Sequence, residues 1–461
     1  MSATTSIRLR VATAAAIALA GALALALVPP PARSPAGAGL PGGFEQVAHD
    51  PLGARGLNST VAIAPRYAYA GSFADSSRDD SGVQVVDIHD PRHPRKSGEI
   101  PARGGLAPIE LRVWRRERLL FVLNDRCRPP ACPNGSAAQP DLSVYDISGP
   151  RGAKPRLVAR RPISPDPHEM YLWQDPRRPG RALLYVSTPV GVGPNVVALD
   201  VSRAERGNVR RLGTWAIPAA AGARYGVHSV SVSEDGRRAF LSAYDLGYLM
   251  LSTADFAADL PRPRFEQLTS FDDRLTYEGV NGHSWVEAPG RPFAVTADEI
   301  SGCPWSRIRV VDVSDPTRPR EASSIGVPPY NDPEQCATVS PTDPSTGLPT
   351  QSFSAHDPTL TCRMAIVSWF GAGVQAFSLR DPRAPRRVGE FRPDPLPAVA
   401  AEHPHLQGIA MHSYPIFQDG LIYVLDIRNG LYVLRYHGPD ERELSRIGFL
   451  EGNSNLSRRD C

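Results

Sequence analysis

The run Gly82–Ile88 reads GVQVVDI and is followed by Asp90-Pro91. A β-branched run that ends in Asp, then a Pro turn, then a second short run at Arg95–Ile100 is strand–turn–strand chemistry. The phrase recurs along the chain. Leu142–Ile147 reads LSVYDI, Asn195–Val201 reads NVVALDV, and Arg307–Val313 reads RIRVVDV before Asp315-Pro316. Gly373–Leu379 reads GVQAFSL before Asp381-Pro382, and Gly430–Tyr436 reads GLYVLRY before Gly438-Pro439. A degenerate copy, GYLMLST, lies at Gly247–Thr253 and makes seven. Two more β-like runs precede each copy. In the fourth unit they are His228–Ser233 and Ala239–Ala243, split by the turn Glu234-Asp235-Gly236. Each unit therefore reads as a four-stranded antiparallel sheet that cannot bury both faces alone. Helical periodicity of any length is absent after residue 40. The expectation is an all-β chain, a seven-bladed β-propeller.

The rest of the chain is arranged around that domain, expected over residues 44–451. Residues 1–40 read as an export signal with a linker. Arg8 and Arg10 precede an apolar Ala/Leu run from Val11 to Val28, and a Pro/Ala/Gly-rich stretch follows. Such a run is also just long enough to span a bilayer, so an uncleaved N-terminal anchor stays open. Phe44–Val47 (FEQV) resembles Phe265–Leu268 (FEQL), an outer strand. Residues 44–48 are thus expected to close the ring beside Leu444–Leu450. Residues 452–461 form a polar tail, too polar to pack unless Cys461 ties it down.

The six cysteines behind an export signal favour disulfides. Cys127 and Cys132 enclose CRPPAC and are expected to pair. Cys303 with Cys336 is the pair the repeat places on loops at one face, and Cys362 with Cys461 is the remainder. The net charge of +3 is too balanced to suggest nucleic acid. No nucleophile elbow, metalloprotease helix, phosphate loop or dinucleotide fingerprint survives a check of context.

The runs VQVVDIHDPRHP and IRVVDVSDPTRP resemble the LVIVD repeat of secreted bacterial β-propellers. That resemblance implies the fold and an extracytoplasmic location, but no particular activity. More loosely, a histidine-lined seven-bladed propeller is similar to carotenoid oxygenases, which hold iron through four inner histidines. It is also similar to selenium-binding proteins, which are linked to copper and methanethiol oxidation. Beyond the histidine register no motif of either family is present, so neither activity is carried over.

Five of the eleven histidines share one register, just ahead of or at the first strand of a unit. They are His168, His228, His283, His356 and His412, and Asn58 and Glu110 hold the same position in the first two units. In a propeller the first strand lines the axial channel, so this register predicts a ring at one mouth. Imidazole suits Cu, Fe or Zn. Asp125, Asp245, Glu299 and Asp426, at the ends of second strands, are expected to accept the far N–H of a ligand histidine, with Glu110 a polar neighbour. Glu169 and Asp357 directly follow ring histidines, point to the other strand face, and are weaker candidates. His403 and His405 fall on a loop at the same mouth.

Three readings of the register stay open. The histidines hold a transition metal and act on a small molecule, line a metal-free polar pocket, or latch blades together in an extracellular or cell-surface scaffold that binds protein or glycan. The chain is expected to be monomeric.

Overall fold

The computed structural model describes residues 39–456 apart from 129–130, 133–134, 192, 341, 345–346, 348 and 404. The proposed signal up to residue 38 and Cys461, with its expected pairing, lie outside the described residues. Among the described residues no helix is long and apolar enough to cross a membrane.

Seven antiparallel sheets follow one another, and each packs on the next through an apolar cluster, forming a seven-bladed β-propeller. The inner strands are Asn58–Ile63, Leu106–Trp114, Met170–Gln174, Ser229–Val232, Gly282–Glu287, Pro358–Leu360 and Ile416–Gln418. Each repeated VVDI-like run is a third strand. Its Asp turns back on the chain: Asp87, Asp146, Asp200 and Asp312 each accept the backbone N–H two residues on, at 2.9–3.0 Å. The Gly that opens four of these strands (Gly82, Gly247, Gly373, Gly430) has φ between 81° and 97°. A Cβ there would run into a facing backbone carbonyl, so only glycine fits.

Burial follows from this stacking. Each of the seven blade-to-blade interfaces holds one apolar cluster, for example Trp114, Leu172 and Leu199 between blades two and three. Two further clusters sit at the mouth and belong to no such interface. Trp173, Trp285 and Trp369 are core residues, each 1% exposed or less.

A strand from each end of the described chain enters the last blade, though the two do not pair. Gly43–Asp50 is its outer strand, antiparallel to Gly430–His437 with Phe44 opposite Tyr436. Phe449–Leu450 does not lie beside it, as the sequence suggested. It pairs with the innermost strand, Phe417 opposite Leu450, on the axial edge. A short helix, Glu441–Leu444, lies between the two strands.

The described part of the polar tail also packs. Residues 451–455 are buried. Asn453 O accepts from Leu172 N at 3.2 Å and from Arg112 Nε at 3.3 Å, and Asn455 holds Gln174 through both its side-chain atoms. The physical reason is the inner strands themselves. Each leaves N–H and C=O groups pointing at the axis, and a polar segment satisfies them where an apolar one would not. The tail thus fills the channel at the end away from the histidines.

Candidate metal centre

Four of the five register histidines lead into or open short inner strands, and His412 precedes the seventh. Each ring is brought to the next by the rotation between blades. The result is a curved stack. Ring centroids are 4.4 Å apart for His168–His228, 3.9 Å for His228–His283, 3.8 Å for His283–His356 and 4.2 Å for His356–His412. His228, His283 and His356 are at most 3% exposed. All five line one cavity of about 520 Å³, as do Glu110, Glu169, Glu299, Asp357, His403 and His405.

The ring nitrogens have distinct surroundings. Nε2 of His168 and Nε2 of His228 lie 3.0 Å apart. Behind His228, Nδ1 is 3.3 Å from Glu169 Oε1, which is also 4.0 Å from His283 Nε2. Asp357 stands 3.6 Å from His283 Nδ1 and 3.2 Å from His356 Nδ1. His356 Nδ1 also lies 2.8 Å from the backbone oxygen of His412, and His412 Nδ1 lies 3.0 Å from that of Ser59. In two of the five rings, His356 and His412, Nδ1 is thus hydrogen-bonded to a backbone oxygen, which places the proton there and leaves Nε2 as a lone pair for a ligand. Nδ1 of His228 and Nδ1 of His283 each have a carboxylate nearby but no hydrogen bond.

Three overlapping groups have ligand atoms within 4.8 Å of one another: His168–Glu169–His228, His228–His283–Glu299 and His283–His356–Asp357. Each combines two histidines with one carboxylate. His412 belongs to none of them. A fourth group, Asp75 with Cys127 and Cys132, is not a ligand set, because those cysteines are bonded to each other.

The electrostatics suit neutral imidazole. Burial first, and the Arg128 charge second, hold His168 down at about 4. Burial and then neighbouring rings push His228, His283 and His412 well below the ordinary histidine value. For His356 burial pulls down, but Asp357, Glu299 and the backbone oxygen of His412 together outweigh it and the net shift is upward. Burial, with Asp357 and Glu110 nearby, drives Glu169 well above the carboxylate range. Glu110 is pushed up to about 7 by burial, against the pull of Arg112.

The predicted supporting carboxylates divide. Glu299 stands with His228 and His283. Glu110 lines the cavity but pairs with buried Arg112. Asp125 lines it too and faces Arg128 at 3.1 Å. Asp245 is exposed, away from the cavity. Asp426 accepts the backbone N–H groups of Ala410, Arg428 and Asn429 and so caps a loop.

The histidine partners are instead Glu169 and Asp357, ranked weaker on strand alternation. Alternation moves a side chain between the two faces of a strand. Both residues lie just ahead of their strands, which begin at Met170 and Pro358, so the rule does not govern them. The serines that follow ring histidines act as latches: Ser229 Oγ donates to His283 O, and Ser284 Oγ to His356 O at 2.7 Å.

Cys127–Cys132 and Cys303–Cys336 are bonded, as expected. Both staple segments of this mouth: Arg126, Arg128 and Ala131 flank or lie within the first loop, and Ile300, Ser301 and Trp305 flank the start of the second. The opposite wall is apolar. Phe73, Ile109, Phe370, Leu406 and Ile427 line it, and no feature of the repeat had marked them.

No family model matches the chain, and no curated protein matches it. Among solved structures it is similar to Sqt1 of Chaetomium thermophilum bound to the N-terminus of the ribosomal protein L10, with 13% identity and a TM-score of 0.49 over 84% of this chain and 89% of that one. A second structure of Sqt1 from the same organism gives the same identity and TM-score over 86% of its chain. At that distance the likeness carries no functional inference.

Proposed function

We propose that the chain is an exported LVIVD-type propeller that binds a transition metal at the histidine arc and acts there on a small molecule. The observation that carries this is the 3.0 Å gap between Nε2 of His168 and Nε2 of His228, with Glu169 behind His228 Nδ1. Two nitrogens bound to one Zn²⁺ at roughly 2.1 Å stand about 3.0–3.4 Å apart. His283 and His356 extend the donor set, with Glu169 and Asp357 fixing ring orientation, and nitrogen-rich donors suit Cu, Fe or Zn. The metal would supply Lewis acidity or a redox couple. The chain's own groups hold His168, His228, His283 and His412 neutral and keep bulk water to one mouth. Export is supported by the N-terminal pattern and by two disulfides, which persist in oxidising compartments.

The test is elemental analysis of the purified protein, with reconstitution by Cu²⁺, Fe²⁺ and Zn²⁺. Stoichiometric metal, lost in a His168→Ala/His228→Ala double variant and in His283→Ala/His356→Ala, is the expected result. Protein that takes up none of the three overturns it.

One observation favours the second reading, a binding scaffold with structural histidines. His356 and His412 each reach a backbone oxygen of the following blade. Under that reading each single histidine variant melts lower and no metal is found.

A further inference from the structure

We propose that the cavity takes a small molecule with an apolar, aromatic-sized body and a neutral or cationic head group, the body lying on the wall made by Phe73, Ile109, Phe370, Leu406 and Ile427 and the head group at the histidine arc. This deepens the reading above and rests on it for the head-group side alone. The body side rests on the apolar wall.

That wall is the unusual part of the fold. Blade-to-blade packing is already served by its own seven clusters. The two mouth clusters are additional: Phe370, Leu406, Ala410 and Ile427 form one, and Ala107, Ile109 and the Cys127–Cys132 pair form the other. Phe73 packs against both and joins them into one surface. Phe73 also meets His412 edge to face at 5.5 Å, and Phe370 lies 4.7 Å from His356. The apolar wall therefore runs directly into the polar arc. A cavity of about 520 Å³ with one apolar side and a few convergent polar groups has the form of a site for an organic ligand.

The sign of the head group follows from the charges. Glu110, Glu169, Glu299 and Asp357 line the cavity. The two arginines at its rim are already paired, Arg126 with Asp166 at 2.7 Å and Arg128 with Asp125 and Asp166 at 3.1 Å. Among the described residues that line the cavity, a carboxylate ligand would meet acidic side chains and arginines that are already ion-paired, whereas a hydroxyl or an ammonium would find acceptors.

The probes are 2-naphthylmethanol, 2-naphthylmethylamine and 2-naphthoate, which share a body and differ in charge. Binding to the full chain is followed by fluorescence anisotropy at pH 8, both as purified and after chelation. A bound metal adds positive charge, so the ranking is read on the chelated protein. The alcohol and the amine are expected to bind at least tenfold tighter than the naphthoate. Ala131→Trp, which fills the rim from the first disulfide loop, and Phe73→Ala, which breaks the wall, each weaken binding at least fivefold. The proposal is overturned if naphthoate binds as tightly as the others, if none binds, or if both variants bind like wild type. Identical rankings before and after chelation count against the metal alone and leave this ligand class standing.

Discussion

Removing the side chain of Asn455 tests whether the tail is part of the ring. In Asn455→Ala three contacts go. Gln174 N–H loses its acceptor at 2.7 Å, Gln174 O loses its donor at 2.8 Å, and Glu234 O loses one at 3.3 Å. Glu234 O keeps the Trp173 Nε1 donor at 3.0 Å. Each neutral hydrogen bond is worth about 1 kcal/mol net, and an orphaned buried N–H costs about 1–3 kcal/mol. The sum is about 3 kcal/mol. With unfolding entropy near 2.1 cal/mol/K per residue, a domain of about 400 residues loses roughly 3–4 °C in Tm. Asn455→Asp is the control. Its Oδ1 still accepts from Gln174, but its second oxygen now faces two carbonyl oxygens, so at pH 7 it melts below the Ala variant and recovers as acid protonates it. Differential scanning calorimetry at a fixed scan rate reads both. A Tm loss under about 1 °C for Asn455→Ala, or an Asp variant as stable as wild type, refutes the packed tail.

Glu169→Gln keeps the shape but not the charge behind His228; it is expected to weaken metal binding about 10–100-fold, while the metal-free variant gains stability over wild type as pH rises, because a carboxyl with a raised folded pKa loses its stabilising effect in that direction. Competition with a metallochromic chelator and pH-dependent melting read the two effects. Arg112→Met leaves Glu110 buried without its partner and costs about 3–5 kcal/mol; adding Glu110→Gln restores most of that loss in urea unfolding. Across pH, two slopes oppose each other in the metal-free protein. His168, His228, His283 and His412 have lowered folded pKa values, so their stabilising effect is full above about 6.5 and is lost as pH falls, toward about 4 for His168 and through their own lowered values for the other three. Glu110 and Asp125, both pushed up to about 7, Asp426, pushed up to about 6, and Glu169, raised well above its ordinary value, contribute fully only below their ordinary carboxylate values and lose that effect as pH rises through their folded values, so these four groups oppose the four histidines. Melting temperature should therefore vary little between about pH 4.5 and 6.5 and fall steeply below that range. A steep slope across it would contradict the buried arrangement of one of the two sets.

The blades were legible because each third strand carries its own signal. The β-branched run, the Asp that caps the turn and the Gly with positive φ all act within a few residues. The histidine register was legible for the same reason, since repetition puts like residues at like places. The pairing of histidine with carboxylate was not. Glu169 meets His228 and Asp357 meets His283 only because neighbouring blades turn their inner strands toward a common axis. Asp245 follows its register histidine by 17 residues and Glu299 by 16, yet Asp245 ends in solvent.

By itself the sequence determined the repeat, the number of blades, the local Cys127–Cys132 loop and the presence of imidazole near the axis, all of which follow from short-range pattern; the Cys303–Cys336 pair, 33 residues apart, followed from where the repeat puts its loops. The tertiary structure alone decided which nitrogen faces which carboxylate, that Phe73 joins two apolar patches into one wall, and that the polar tail fills the far end of the channel. These are contacts between segments tens to hundreds of residues apart. Nothing in a local pattern records them, because they arise from the angle at which one finished sheet packs on the next.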